Sequence, residues 1–62
     1  MIRVFNSATA GERWISLEDV TIVTQGICTV FGSPYIFFEH KDYPLGALRA
    51  EYKDNHWSCD LD

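Results

Sequence analysis

The chain has 62 residues and a formal net charge of −4, with nine carboxylates against five lysines and arginines. This length indicates one domain, residues 1–62, with marginal stability, because such a chain buries only about 60% of the surface that its unfolded form exposes. The cations are scattered singly, which disfavours nucleic acid as the partner, since phosphate binding needs clustered positive charge. With no signal-peptide segment and no apolar run of about 18 residues, we expect a cytoplasmic protein without membrane contact.

The first third of the chain predicts two short strands and a turn. Residues 2–5 alternate weakly and predict a strand, residues 6–11 are small and polar and indicate a loop, and residues 13–15 return to extended character. Ser16 followed by carboxylates resembles a helix start, but the β-branched residues that come next favour a strand. We therefore expect a tight turn or a single helical turn over residues 16–19.

The middle of the chain is the most strongly β-like part. Two β-branched runs, residues 20–24 and 27–31, flank Gln25 and Gly26, which is the pattern of a hairpin. Residues 32–34 indicate a second turn. The next apolar run, residues 35–40, does not alternate at its centre, so we expect a strand that is buried on both faces or lies in an interface.

The last third admits two interpretations. Apolar residues in the segment 45–53 have helical spacing, but several of them also alternate with charged residues, as in a strand. A turn signal at Asp54 and Asn55 and an alternating segment after it favour a second hairpin. The fold prediction is mainly β: a small antiparallel sheet of four to six strands, as a meander or open barrel. A short helix near 45–53 would make it α+β.

Cysteine and histidine residues are the candidates for chemistry. Cys28, His40, His56 and Cys59 could supply a Cys₂His₂ zinc set, but they lack the two short-spaced pairs of most zinc modules. The two cysteines could be free, bridged or metal-bound. No nucleophile elbow or Gly-rich phosphate loop is present. We therefore predict neither an enzyme nor a cofactor or metal site.

Acidic and aromatic residues are the candidates for partner binding. The nine aromatic residues exceed what a small core can hold, since each buries about 150–250 Å², so some should lie in an interface. Tyrosine and tryptophan are enriched in binding hot spots, and an acidic patch docks on a basic surface. The predicted binding residues are Glu18, Asp19, Glu39, Asp42, Tyr43, Tyr52 and Trp57.

Part of the sequence is similar to the CsrA/RsmA translational regulators. The similar positions are Gly11, Glu12, Ile15, residues 19–22, Gly26, Arg49 and Glu51. This resemblance implies a strand-swapped β dimer that binds GGA-containing RNA through arginines. The chain differs from that family in its acidity, in the missing basic N-terminal strand and in extra residues around 29–34.

The residues therefore favour a small acidic modulator or inhibitor that docks on a larger protein without catalysis, of the kind that phages and mobile elements encode. The sequence leaves open whether the chain forms a homodimer. The alternative is a dimeric RNA-binding regulator, which requires Arg3, Arg13 or Arg49 to converge on one surface. The third hypothesis is a small zinc module.

Overall fold

Six strands and one 3₁₀ turn make up the computed structural model, which describes residues 1–61. The strands are β1 (Ile2–Asn6), β2 (Gly11–Ile15), β3 (Val20–Ile27), β4 (Pro34–His40), β5 (Tyr43–Lys53) and β6 (His56–Leu61), and the 3₁₀ turn is Leu17–Asp19. The prediction of a mainly β chain is confirmed. Within residues 1–61, no helix is long and apolar enough to cross a membrane.

The strands form one open sheet in the order β2-β1-β6-β5-β4-β3. Four of the strand pairs are antiparallel, as expected, but β1 and β6 are parallel. The prediction of an antiparallel sheet was therefore wrong for the pair of β1 and β6. The apolar residues of the two strands share one face in this register, because Ile2 and Val4 lie opposite Trp57 and Cys59.

The connection between the two edge strands shows that the sheet is curled. β2 and β3 lie at opposite edges, yet only residues 16–19 separate them in the chain. The five residue steps from Ile15 to Val20 reach at most roughly 18 Å, whereas the edges of a flat six-stranded sheet would be about 24 Å apart. The sheet therefore bends into a concave and a convex face.

The core lies on the concave face. Its buried side chains come from five strands: Ile2, Val4, Ile15, Ile36, Phe38, Ala50 and Cys59. The centre of β4 alternates after all, with Ile36, Phe38 and His40 buried and Tyr35 and Phe37 half-buried on the convex face. The expectation that this strand is buried on both faces was wrong.

The segment that admitted both a helix and a strand is a strand. β5 spans all of residues 45–53, so the short helix and the α+β alternative were wrong. Packing decides the outcome: Leu48 and Ala50 lie opposite Phe38 and Ile36 on the concave face. The predicted turn follows, with both of its residues at positive φ (53° and 65°), which matches the type I′ hairpin turn.

The hairpin predicted around Gln25 and Gly26 was also wrong. β3 runs unbroken through both residues. Gly26 is needed for a close approach, because a Cβ at this position would lie 2.6 Å from the Tyr35 hydroxyl oxygen. The chain reverses at residues 28–33, where the Gly32 N–H donates to the Cys28 carbonyl at 2.7 Å.

The start of the 3₁₀ turn matches the prediction of a single helical turn. The Ser16 hydroxyl accepts a hydrogen bond from the Glu18 N–H at 3.2 Å, as an N-cap does. The β-branched run after Asp19 then continues as β3. The turn therefore carries the chain from one edge of the curled sheet to the other.

Candidate functional site

The main surface feature is an open groove on the concave face, which we call the apolar groove. It measures about 610 Å³ and is lined chiefly by Leu17, Ile22, Ile27, Pro34, Ile36 and Trp57. Ile27 is 66% exposed, Ile22 50% and Leu17 43%. Large apolar side chains are thus open to solvent in a concave surface of ligand-pocket size.

The register of β3 explains why these side chains point into the groove. Ile22 lies opposite the buried Phe38, and Ile27 lies opposite Pro34. A bulge between Ile22 and Thr24 shifts the alternation by one residue, so that both isoleucines face the concave side. Because β3 is an edge strand, no further strand of residues 1–61 covers them.

The predicted aromatic residues Tyr52 and Trp57 lie together at one end of the groove. They are opposite each other on β5 and β6, and their rings make an edge-to-face contact at 5.3 Å. Trp57 is half-buried, packs against the core and also lines the groove. Tyr52 is 39% exposed. Trp57 therefore serves the core and is also open to a partner.

The predicted acidic residues lie towards the other end of β3. Because Val20 pairs with His40, the start of β3 is beside the end of β4. Glu18 and Asp19 are exposed on the 3₁₀ turn that directly precedes Val20, and Glu39 is exposed on β4. The structure therefore separates these carboxylates from the aromatic pair, while Leu17 of the same turn lines the groove.

Asp42 and Tyr43 belong to a cluster around Arg13 that holds β2 to the turn between β4 and β5. The Arg13 Nη2 donates to Asp42 Oδ2 at 2.6 Å, and its guanidinium lies 5.9 Å from the centre of the Tyr43 ring. The Asp42 N–H donates to His40 Nδ1 at 3.0 Å. The hydrogen bond from Arg13 holds the pKa of Asp42 below its usual value. These contacts link β2 to the turn between β4 and β5 at a solvent-exposed position.

Replacing Asp42 by asparagine should lower the melting temperature at neutral pH, because Arg13 loses its charged partner. A lowered pKa of Asp42 in the folded state means that the ion pair stabilises the protein above the unfolded pKa of about 3.9. That stabilisation disappears as the pH falls through the folded-state pKa. The difference in melting temperature between wild type and variant should therefore vanish in strong acid and shrink in high salt. A difference that persists in strong acid would contradict this role.

The three arginines required for RNA binding are each next to a carboxylate. Arg3 Nε lies 3.0 Å from Glu12, and Arg49 Nη2 lies 2.8 Å from Glu51. Both are on the convex face, whereas Arg13 pairs in register with the buried Val4 and faces the concave side. The structure thus places two arginines on one face and the third on the other.

The candidate zinc ligands are dispersed. Both cysteines are free, and Cys59 is 2% exposed, so that burial raises the pKa of its thiol. His40 Nδ1 is engaged by a backbone N–H, and His56 Nδ1 lies 3.0 Å from the Asp54 carbonyl. In the described part of the chain, no three potential metal ligands are grouped.

The sequence patterns did not identify the aliphatic side chains of the groove as binding residues. Leu17, Ile22 and Ile27 were interpreted only as turn and strand residues. One signal pointed to the two isoleucines: residues 20–38 contain no charged side chain. Such a segment must be either fully covered or partly exposed as an apolar surface, and a chain this short cannot cover it all.

Comparisons with protein-family models, with curated proteins and with solved structures gave no match. The similarity to the CsrA/RsmA regulators rests on the residues quoted above.

Proposed function

We propose that this protein is a small acidic modulator or inhibitor that binds a larger protein through the apolar groove and acts sterically, without catalysis. The observation that carries the proposal is the exposure of Leu17, Ile22 and Ile27 in one concave surface. Burial of apolar surface contributes about 25 cal/mol per Å². Covering the exposed apolar side chains of this groove would therefore contribute favourably to the free energy of binding a partner.

The groove has the parts that a protein-binding site needs. Trp57 forms part of its wall, and tryptophan is one of the residue types enriched in hot spots. Glu18 and Asp19 directly follow Leu17 at the rim and steer a basic partner surface towards the groove. We therefore infer a partner with an apolar projection beside basic residues. Small size and acidity also suit an inhibitor that a phage or mobile element encodes.

Replacing Ile27 by lysine should strongly weaken this binding. Ile27 is 66% exposed, so lysine leaves the core intact but places a charge in the groove. We expect at least a tenfold loss of affinity, about 1.4 kcal/mol. The matched control is Val30→Lys, because Val30 is 78% exposed in the loop and does not line the groove.

The experiment is affinity capture from a candidate host lysate with wild type, Ile27→Lys and Val30→Lys, followed by titration of the captured protein. A protein partner retained by wild type and Val30→Lys but lost by Ile27→Lys, with or without ribonuclease, supports the proposal. Capture that depends on RNA, or capture that Ile27→Lys leaves unchanged, overturns docking through the groove.

A further inference from the structure

The outer edge of β3 is open. Among residues 1–61, β4 is its only strand neighbour, and β3 ends the order of the sheet. Its eight residues, VTIVTQGI, contain no charge and no proline. Unpaired backbone groups on such an edge are a template for another strand, and proteins normally protect them with lysine or proline.

The opposite edge is protected in the usual way. β2 has only five residues, and three of them, Glu12, Arg13 and Trp14, have charged or bulky side chains. Arg13 is bound to Asp42, and the Trp14 indole N–H donates to Glu12 at 3.0 Å. The two edges therefore differ, and β3 is the one suited to pairing.

We propose that β3 pairs antiparallel with β3 of a second copy of this chain, about a two-fold axis between Val23 and Thr24, so that two sheets become one. This pairing places Val20 opposite Ile27 and Ile22 opposite Gln25 of the other copy. The register with β4 puts all four of these side chains on the concave face. Side chains on the concave face of one copy therefore lie opposite side chains on the concave face of the other. A shift of the register by one residue would place concave-face side chains opposite convex-face side chains.

Charge favours the antiparallel over the parallel orientation of the second copy. Each chain carries a net charge of −4, so a dimer must keep its carboxylates apart. In the antiparallel register, Glu18 and Asp19 lie beside residues 28–29 of the other copy, which are uncharged. Parallel pairing would instead align the two acidic turns. A charged foreign strand would find no complementary charge along β3 itself.

The dimer is compatible with docking through the apolar groove and does not depend on it. Strand pairing uses backbone groups at the edge, whereas side chains stand roughly perpendicular to the sheet. The two grooves would lie side by side across the axis. Val23 does not line the groove, so the loss of dimerisation in Val23→Lys and the loss of partner capture are separate outcomes.

The test is the solution mass of the full chain, measured by light scattering over a wide concentration range. We expect a shift from the chain mass of 7.1 kDa towards twice that value as concentration rises. Val23→Lys should weaken dimerisation at least tenfold, because Val23 is 55% exposed at the axis and each copy would bring a lysine there. Val30→Lys, a lysine in the exposed loop, should dimerise like wild type.

Hydrogen exchange of wild type gives a second readout that needs no variant. Amides of residues 20–27 should exchange more slowly at high concentration, while those of β2 should not change. A mass of 7.1 kDa at every concentration would overturn the proposal, as would unchanged dimerisation of a folded Val23→Lys. Concentration-dependent protection at β2 in place of β3 would also overturn it.

Discussion

Replacing Phe38 by alanine should lower the free energy of unfolding by about 3–5 kcal/mol. Phe38 is 0% exposed and is the largest fully buried side chain among the residues whose burial is described. It lies on β4, with Ile22 on one side and Leu48 on the other. A domain of this size sits near the lower end of a stability range of about 5–15 kcal/mol, so the variant should keep at most about 2 kcal/mol and unfold at a much lower urea concentration than wild type.

The matched control for this prediction is Phe31→Ala. Phe31 is the same residue type but is 80% exposed in the loop between β3 and β4. Its replacement should change stability by no more than about 0.5 kcal/mol. Urea unfolding followed by tryptophan fluorescence measures both variants. Equal effects of the two substitutions would show that the core is not on the concave face.

Replacing Ile2 by alanine should cost about 2–5 kcal/mol, although Ile2 is the second residue of the chain. Residues this close to a terminus usually fray, and changes there are usually tolerated. Here β1 lies between β2 and β6, and Ile2 is 0% exposed with Ile15 and Trp57 as its register partners. A cavity at this position weakens both neighbouring strand pairs.

The control for the second prediction is Ile27→Ala, at a position that is 66% exposed on the edge strand β3. Its cost should stay below about 1 kcal/mol, because little buried surface is lost. Thermal unfolding by circular dichroism compares the two variants with wild type. A cost for Ile2→Ala as small as that for Ile27→Ala would place β1 outside the core and contradict the parallel β1–β6 pair.

Local patterns predicted most of the strands. Alternation identified β1 and β6, and the N-cap chemistry of Ser16 identified the single turn before β3. The segment 45–53 was undecided because its residues suit a helix and a strand equally. Its outcome depends on Phe38 and Ile36, which lie on another strand. Such tertiary packing overrides intrinsic propensity and is not visible in the segment itself.

The parallel pairing and the role of Gly26 were beyond sequence patterns. A glycine between β-branched runs is the signal of a turn, but here it makes room for Tyr35 of the neighbouring strand. The pairing of β1 with β6 joins opposite ends of the chain. The hydrophobic pattern of a segment does not show which distant segment it pairs with.

The candidate site was partly accessible from residue types. Tyr52 and Trp57 were predicted as binding residues, and they lie together, with Trp57 in the groove wall. Asp42 and Tyr43 were predicted for the same reason, but Arg13 engages both from a strand far away in the sequence. Exposure depends on which residues the fold covers, so the uncharged run 20–38 indicated an apolar surface but did not identify Ile22 and Ile27 as the residues that form it.

The most direct test of groove docking is a titration of ¹⁵N-labelled protein with the partner that wild type captures, followed by NMR. We expect the largest shift changes at the Trp57 indole and at the amides of Leu17 and Ile27. Changes concentrated on the convex face, at Arg3 and Phe5, with the groove signals unmoved, would contradict the proposal that the protein acts through this groove.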